Sequence, residues 1–215
     1  KPCIKSNTMH AQFRPVLPGF EHIKRYWDAG RTSVVAKILP GEFYVSKNDE
    51  LISTVLGSCI AACVYDEKAG IGGVNHFMLP VKKGLELNSA HSLSCRYGNW
   101  AMEYLINEVL KGGAARKNLK IKLFGGGKII SAMTDIGIGN ISFANAYIQE
   151  ESLNLVAQDM GGAMASKIFF HPHTGKVHVK KLKNLHNNTI EKREVRYLQN
   201  LKQQDKATET NIELF

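Results

Sequence analysis

No apolar run in the 215-residue chain approaches the roughly 18 residues that a membrane-spanning helix needs. Nor does a charged head followed by a long apolar stretch stand near its beginning, so no secretory signal is read. Cysteine is scarce: four residues, at 3, 59, 63 and 95, too few and too irregularly spaced for a disulfide framework. Cys59 and Cys63 would stand about 13 Å apart along a strand at ~3.3 Å per residue, too far to bridge. Together these absences point to the cytoplasm. There is no Cys-x-x-Cys, and His171, His173 and His178 have no carboxylate beside them in the sequence, so neither a metal nor another cofactor is expected. Gly125-Gly-Gly127 lacks the Gly-Lys-Ser/Thr ending of a phosphate loop, and Gly137-Ile-Gly139 lacks the third glycine of a dinucleotide fingerprint. Both read as tight turns near a cysteine.

Acidic residues are the minority, and the imbalance is local. Of the net charge of +9, residues 176–206 supply nine Lys or Arg against three Asp or Glu, hence +6. This basic tail lacks an aromatic-interleaved surface or a recognition motif, so nucleic acid is not the expected partner. A basic tail of this kind can instead steer the chain towards an acidic protein.

The 44% of hydrophobic residues is enough for a substantial core. The chain is organised around Leu51–Pro80. Ile60 to Tyr65 is β-branched and small apolar, Asp66 to Gly70 is polar, and Val74 to Leu79 is apolar again, which predicts a β-hairpin. A turn at Glu67-Lys68 sets Cys59 opposite His76. A turn at Lys68-Ala69, or one widened to Glu67–Gly70, makes the pair diagonal but keeps both on one face. Gly72-Gly73 could host a bulge that separates them. A histidine beside a cysteine lowers the thiol pKa and carries its proton, so Cys59 reads as nucleophile and His76 as base. Gly57 and Ser58 let a carbonyl approach the backbone closely, and N–H groups at Ser58 and Cys59 are candidate oxyanion donors. Ser53 and Thr54 offer hydroxyls to orient the imidazole, and Gly57 and Asn75 stand beside the pair as supporting residues. Strand alternation puts Ser53 and Thr54 on opposite faces, with Thr54 expected to pack.

Thr54-Val-Leu-Gly-Ser-Cys59 and Gly73-Val-Asn-His76-Phe-Met-Leu-Pro80 resemble the signature of CheD, the chemoreceptor glutamine deamidases of bacterial chemotaxis. Arg96-Tyr-Gly98, Ala101-Met-Glu, Phe124-Gly-Gly126, Ile136-Gly137 with Asn140, Asp159-Met-Gly-Gly162 and Thr174-Gly-Lys-Val177 continue the resemblance in order, from about Leu39 to Val179. It implies a cofactor-free cysteine hydrolase with a layered α/β/β/α arrangement. Glutamine side chains of receptors would be converted to glutamate through a thioester. The cysteine and histidine fall on Cys59 and His76, and the family's hydroxyl, placed six residues before the cysteine, falls on Ser53. A non-catalytic adaptor that binds receptors or a CheC-like phosphatase is the alternative.

The expected organisation is a loosely ordered leader at 1–31, a catalytic α/β domain of mixed sheets and flanking helices at 32–182, and a basic tail at 183–215 that is partly helical or disordered. Within the domain, strands are expected at Ser33–Leu39, Phe43–Val45, Leu119–Leu123 and Leu155–Gln158. A second hairpin joins Lys167–Phe170 to Lys176–Lys180. One helix runs through Ala101–Leu110 after an Asn99 cap, and another runs from Ile141 to Glu151 after an Asn140 cap.

Overall fold

A computed structural model describes residues 13–79, 93–128, 134–182 and 189–210. The chain forms β1 (Lys24–Asp28), β2 (Ser33–Lys37), β3 (Phe43–Ser46), β4 (Leu51–Leu56), β5 (Ile60–Asp66), β6 (Ile71–Asn75), α1 (Leu93–Lys111), β7 (Lys120–Gly125), α2 (Thr134–Glu150), β8 (Leu155–Met160), β9 (Ser166–Phe170), β10 (Val177–Lys181) and α3 (Thr189–Thr210). Two mixed five-stranded sheets result, in the orders β1-β2-β4-β9-β10 and β3-β6-β5-β7-β8. Each holds one parallel pair, β2 with β4 and β7 with β8.

Every residue of β5 is buried, as a near-continuous apolar run at the centre of a covered sheet should be. β7 keeps its alternation, with Ile121 and Leu123 inside and Lys120 and Lys122 partly exposed. The sheets face each other across one apolar core, where the Tyr65 ring of β5 meets Phe170 of β9 edge-on at 6.0 Å. α1 and α2 pack against the second sheet. Among the described residues no helix is long and apolar enough to cross a membrane.

Three expectations need correction. Lys24–Asp28, placed in the leader, is a sheet strand paired antiparallel with β2. It is pinned by tertiary contacts that local composition does not reveal: Arg25 Nε donates to Glu50 at 2.8 Å, and Phe20 packs edge-on against Phe43 and Tyr44. Next, α2 begins at Thr134, so Asn140 lies within the helix instead of capping it, and Gly137 and Gly139 are helical instead of turn residues. Interior glycine weakens a helix by roughly 0.5–1 kcal/mol relative to alanine. Here it allows close approach, because a Cβ on Gly137 would sit 3.0 Å from the Gly126 carbonyl oxygen. Finally, α1 extends back to Leu93, so Asn99 is internal.

The hairpin takes the widest of the three turns considered. Cys63 pairs with Val74 and Asp66 with Ile71, leaving Glu67–Gly70 as the loop. No bulge interrupts Gly72-Gly73; their missing side chains make room for Tyr65 and Val45. The register continues through an isolated bridge between Ile60 and Phe77, so Cys59 and His76 are diagonal neighbours on one face.

Candidate active site

The site forms where the chain leaves the first sheet for the second. β4 ends at Leu56, residues 57–59 bend, and β5 begins at Ile60. This bend is held from several sides. Asn140 Nδ2 donates to the Ser58 carbonyl at 2.8 Å, while its Oδ1 accepts the Leu79 N–H at 2.8 Å. Gly126 and Gly127 donate their N–H groups to the carbonyls of Cys59 and Gly57 at 2.8 and 2.7 Å. A Cβ on Gly125 would collide with the Cys59 carbonyl, which requires glycine there, at a φ of +106°. Thus Gly125–Gly127 do turn against the cysteine, as expected.

His76 is buried at the end of β6, and its backbone is fixed by the Glu42 carbonyl at 2.9 Å and the Gly41 N–H at 2.7 Å. Neighbouring Asn75 spends its amide on structure: its Oδ1 accepts the Ala62 N–H at 2.9 Å and its Nδ2 donates to the Ala101 carbonyl at 2.9 Å. It therefore ties β5, β6 and α1 together next to the histidine.

Thr54, not Ser53, reaches the imidazole. Thr54 Oγ1 lies 2.7 Å from His76 Nδ1 and donates to the Ile38 carbonyl at 3.0 Å. A hydroxyl has one proton, so making both bonds at once requires Nδ1 to carry the ring proton and donate to threonine. Nε2 is left as the acceptor, buried and without a hydrogen-bond partner among the described residues. Ser53 Oγ also lacks a partner among them, and Ser53 is paired with Phe169, on whose ring Arg31 stacks at 3.7 Å. That is the opposite face of β4. The resemblance puts the hydroxyl six residues before the cysteine, on Ser53, but the chain bends at 57–59 and the oxygen that reaches the ring is that of Thr54.

A third group joins them from the C-terminal helix. Glu194 of α3 is fully buried: its Oε1 accepts the Gly57 N–H at 2.8 Å, and its Oε2 accepts the Ser58 N–H at 3.0 Å and the Ser58 hydroxyl at 2.6 Å. Ligand-type atoms of Cys59, His76 and Glu194 lie within 4.8 Å of one another. Although these are metal-binding residue types, the carboxylate already accepts three donors whose positive ends converge on it. Such a field suits an anion better than a cation. Glu194 stands in a polar, basic segment, and nothing in that composition signals that it is buried here.

Burial, then the negative charge of Glu194, pushes the Cys59 thiol well above its ordinary value. Burial, then Arg193, lowers His76 to about 3. The pair is therefore a neutral thiol and a neutral imidazole in this arrangement. Because the unfolded histidine titrates near 6.5, the unfolded chain binds more protons between pH ~6.5 and ~3, and stability falls as pH drops through that window. His76→Asn cannot take up this proton. Urea titrations should show the stability advantage of wild type over His76→Asn shrinking from pH 7 to pH 4; an advantage independent of pH would contradict a buried neutral histidine.

A sequence profile described as CheD chemotactic sensory transduction matches residues 78–181. A Halorhodospira halophila protein named probable chemoreceptor glutamine deamidase CheD is 46% identical over 202 residues, covering 91% of this chain and 92% of its own. The chain belongs to the CheD family. Similarly named CheD proteins of Saccharophagus degradans (45% identity over 95% of both chains) and Hydrogenovibrio crunogenus (50% over 83% of this chain and 93% of its own) agree. Among solved structures, a Neisseria meningitidis protein assigned to DUF152 aligns with a TM-score of 0.37 and 9% identity over 61% of this chain and 64% of its own, a likeness too slight to bear on the fold. The alignments with CheD relatives extend well beyond residues 78–181, over most of the chain.

Proposed function

We propose that this chain is a cytoplasmic cysteine hydrolase that converts glutamine side chains of chemoreceptors to glutamate. The observation that carries this reading is the line Thr54–His76–Cys59 set beside two main-chain N–H groups that hold a carboxylate. His76 Nε2 takes the Sγ proton as sulfur attacks the amide carbon, and the N–H groups of Gly57 and Ser58 stabilise the oxyanion. The C–N bond breaks with proton transfer from His76, releasing ammonia and leaving a thioester. Water, deprotonated by His76, attacks the thioester carbon; the C–S bond breaks, and thiol and glutamate remain. The oxyanion donors are thus Gly57 and Ser58, one residue upstream of the pair expected from sequence.

A buried, protonated thiol is also what a non-catalytic adaptor for receptors or a CheC-like phosphatase would show. Intact-mass analysis of a receptor cytoplasmic fragment incubated with the protein decides between them. The hydrolase reading expects stepwise mass gain from carboxamide to carboxylate with ammonia release. An unchanged fragment with wild type and with Glu194→Ala would favour the adaptor.

A further inference from the structure

The chemistry above makes no use of Glu194, although its carboxylate reaches within 4.8 Å of both Cys59 and His76. A buried carboxylate is costly unless its charge is met by donors, and this one is met by three, two of them main-chain N–H groups of the residues just before the nucleophile. These are the donors that a reacting glutamine carbonyl requires. A Cβ on Gly57 would stand 2.5 Å from Glu194 Oε1, so that glycine makes room for a side-chain oxygen of this kind. A glutamate side chain, its oxygens on these donors and one of them within 4.8 Å of Sγ, has the form of a hydrolysed glutamine that has not left.

We propose that α3 occupies the substrate seat of its own chain, with Glu194 as a built-in product analogue, and that the site opens to a substrate when α3 is displaced. The proposal rests on the glutaminase reading above. It also specifies the substrate's shape, because the occupant is a helix. Ile190, Glu194, Tyr197 and Leu201 recur at helical spacing along one stripe. Ile190 and Leu201 are buried, the Tyr197 hydroxyl meets that of Tyr97 on α1, and Arg193 Nη2 donates to the Val55 carbonyl at 2.9 Å. Tyr197 also lies over Gly41, where a Cβ would approach its ring to 2.8 Å. The opposite stripe, including Glu191, Lys192 and Arg196, is exposed. This is a helix laid in a groove, so the seat fits a glutamine carried on a helix of a protein and not free glutamine. Burial raises the Cys59 thiol most, and the Glu194 charge adds to it by opposing thiolate formation.

The test uses full-length protein and two readouts, the first independent of any receptor. Iodoacetamide labelling of Cys59, with Cys63 as internal reference, should be about tenfold faster or more in Glu194→Ala than in wild type, as expected if α3 leaves the site open in a tenth or less of wild-type molecules. Ile190→Ser, which loosens α3 away from the bend, should accelerate labelling in the same direction. Equal Cys59 rates in wild type and both variants overturn the proposal whatever the receptor assay gives. In the second readout, Glu194→Gln turns the analogue into a substrate. Peptide mass mapping should find the introduced glutamine converted back to glutamate, while it persists as glutamine when Cys59→Ala is combined with Glu194→Gln. An unconverted glutamine at position 194 in a protein that converts receptor fragments overturns the product-analogue assignment and leaves the glutaminase reading standing. Fast Cys59 labelling in Glu194→Ala, with no conversion of receptor fragments or of the glutamine in Glu194→Gln, overturns the glutaminase reading, and the proposal with it.

Discussion

Cys59→Ala loses receptor deamidation by on the order of 10⁴-fold or more, whereas Cys63→Ala and Cys95→Ala stay within about threefold of wild type. The contrast with Cys63 gives this comparison its force. Both thiols are fully buried and both are pushed upward by burial, so truncating either removes a similar amount of packing. Cys63, however, sits mid-strand with its backbone paired to Val74 and Lys122, while Cys59 lies at the bend beside His76. A loss of activity common to both variants would indicate damaged packing. Undiminished conversion by Cys59→Ala, measured by ammonia release and intact mass, would remove the thioester mechanism.

Thr54→Val costs roughly 10-fold to 100-fold in rate, the worth of a hydrogen bond to a group that becomes charged during turnover. Valine keeps the shape and removes the oxygen that receives the Nδ1 proton. Thr54→Ser restores the oxygen and should recover most of the rate, which a purely structural role for the methyl would not allow. Ser53→Ala, on the other face of β4, should change the rate by less than about threefold. The acid limb of the pH–rate profile should also move in Thr54→Val, because the imidazolium formed in the reaction loses its partner. If Ser53→Ala is the crippled variant and Thr54→Val is not, the structure's strand orientation is wrong.

How much could be read from residues alone follows their range of interaction. The Cys59–His76 proximity was legible because a hairpin is local and any even loop keeps both side chains on one face. The choice of turn was not, since Glu67, Lys68, Ala69 and Gly70 all suit a turn, and the contacts that hold it include Ala115 and Asn118 donating to Asp66 from far along the chain. The oxygen beside His76 was placed one residue early, on Ser53, because the offset of six before the cysteine came from the resemblance, and an offset does not report where the chain bends between β4 and β5. The roles of Asn140 and Glu194 depend on contacts 82 and 136 residues away, beyond any periodicity or spacing rule. Arg25 similarly finds Glu50 from a stretch whose composition reads as unstructured.

The bend at residues 57–59 also bears on the order of assembly. Among the described residues, the side chains and loops that fix it come later in the chain: Gly126 and Gly127 first, then Asn140, and finally Glu194. β4 likewise pairs with β9, more than a hundred residues downstream. Such distant closures are slow steps, and a chain emerging from the ribosome presents the nucleophile well before its surroundings exist. During refolding, protection of Cys59 from a thiol probe should lag behind that of Cys63, which β6 and β7 enclose; simultaneous protection would argue for a single concerted step. Synthesis itself would then make the cysteine early and bring its cover, Glu194 of α3, last.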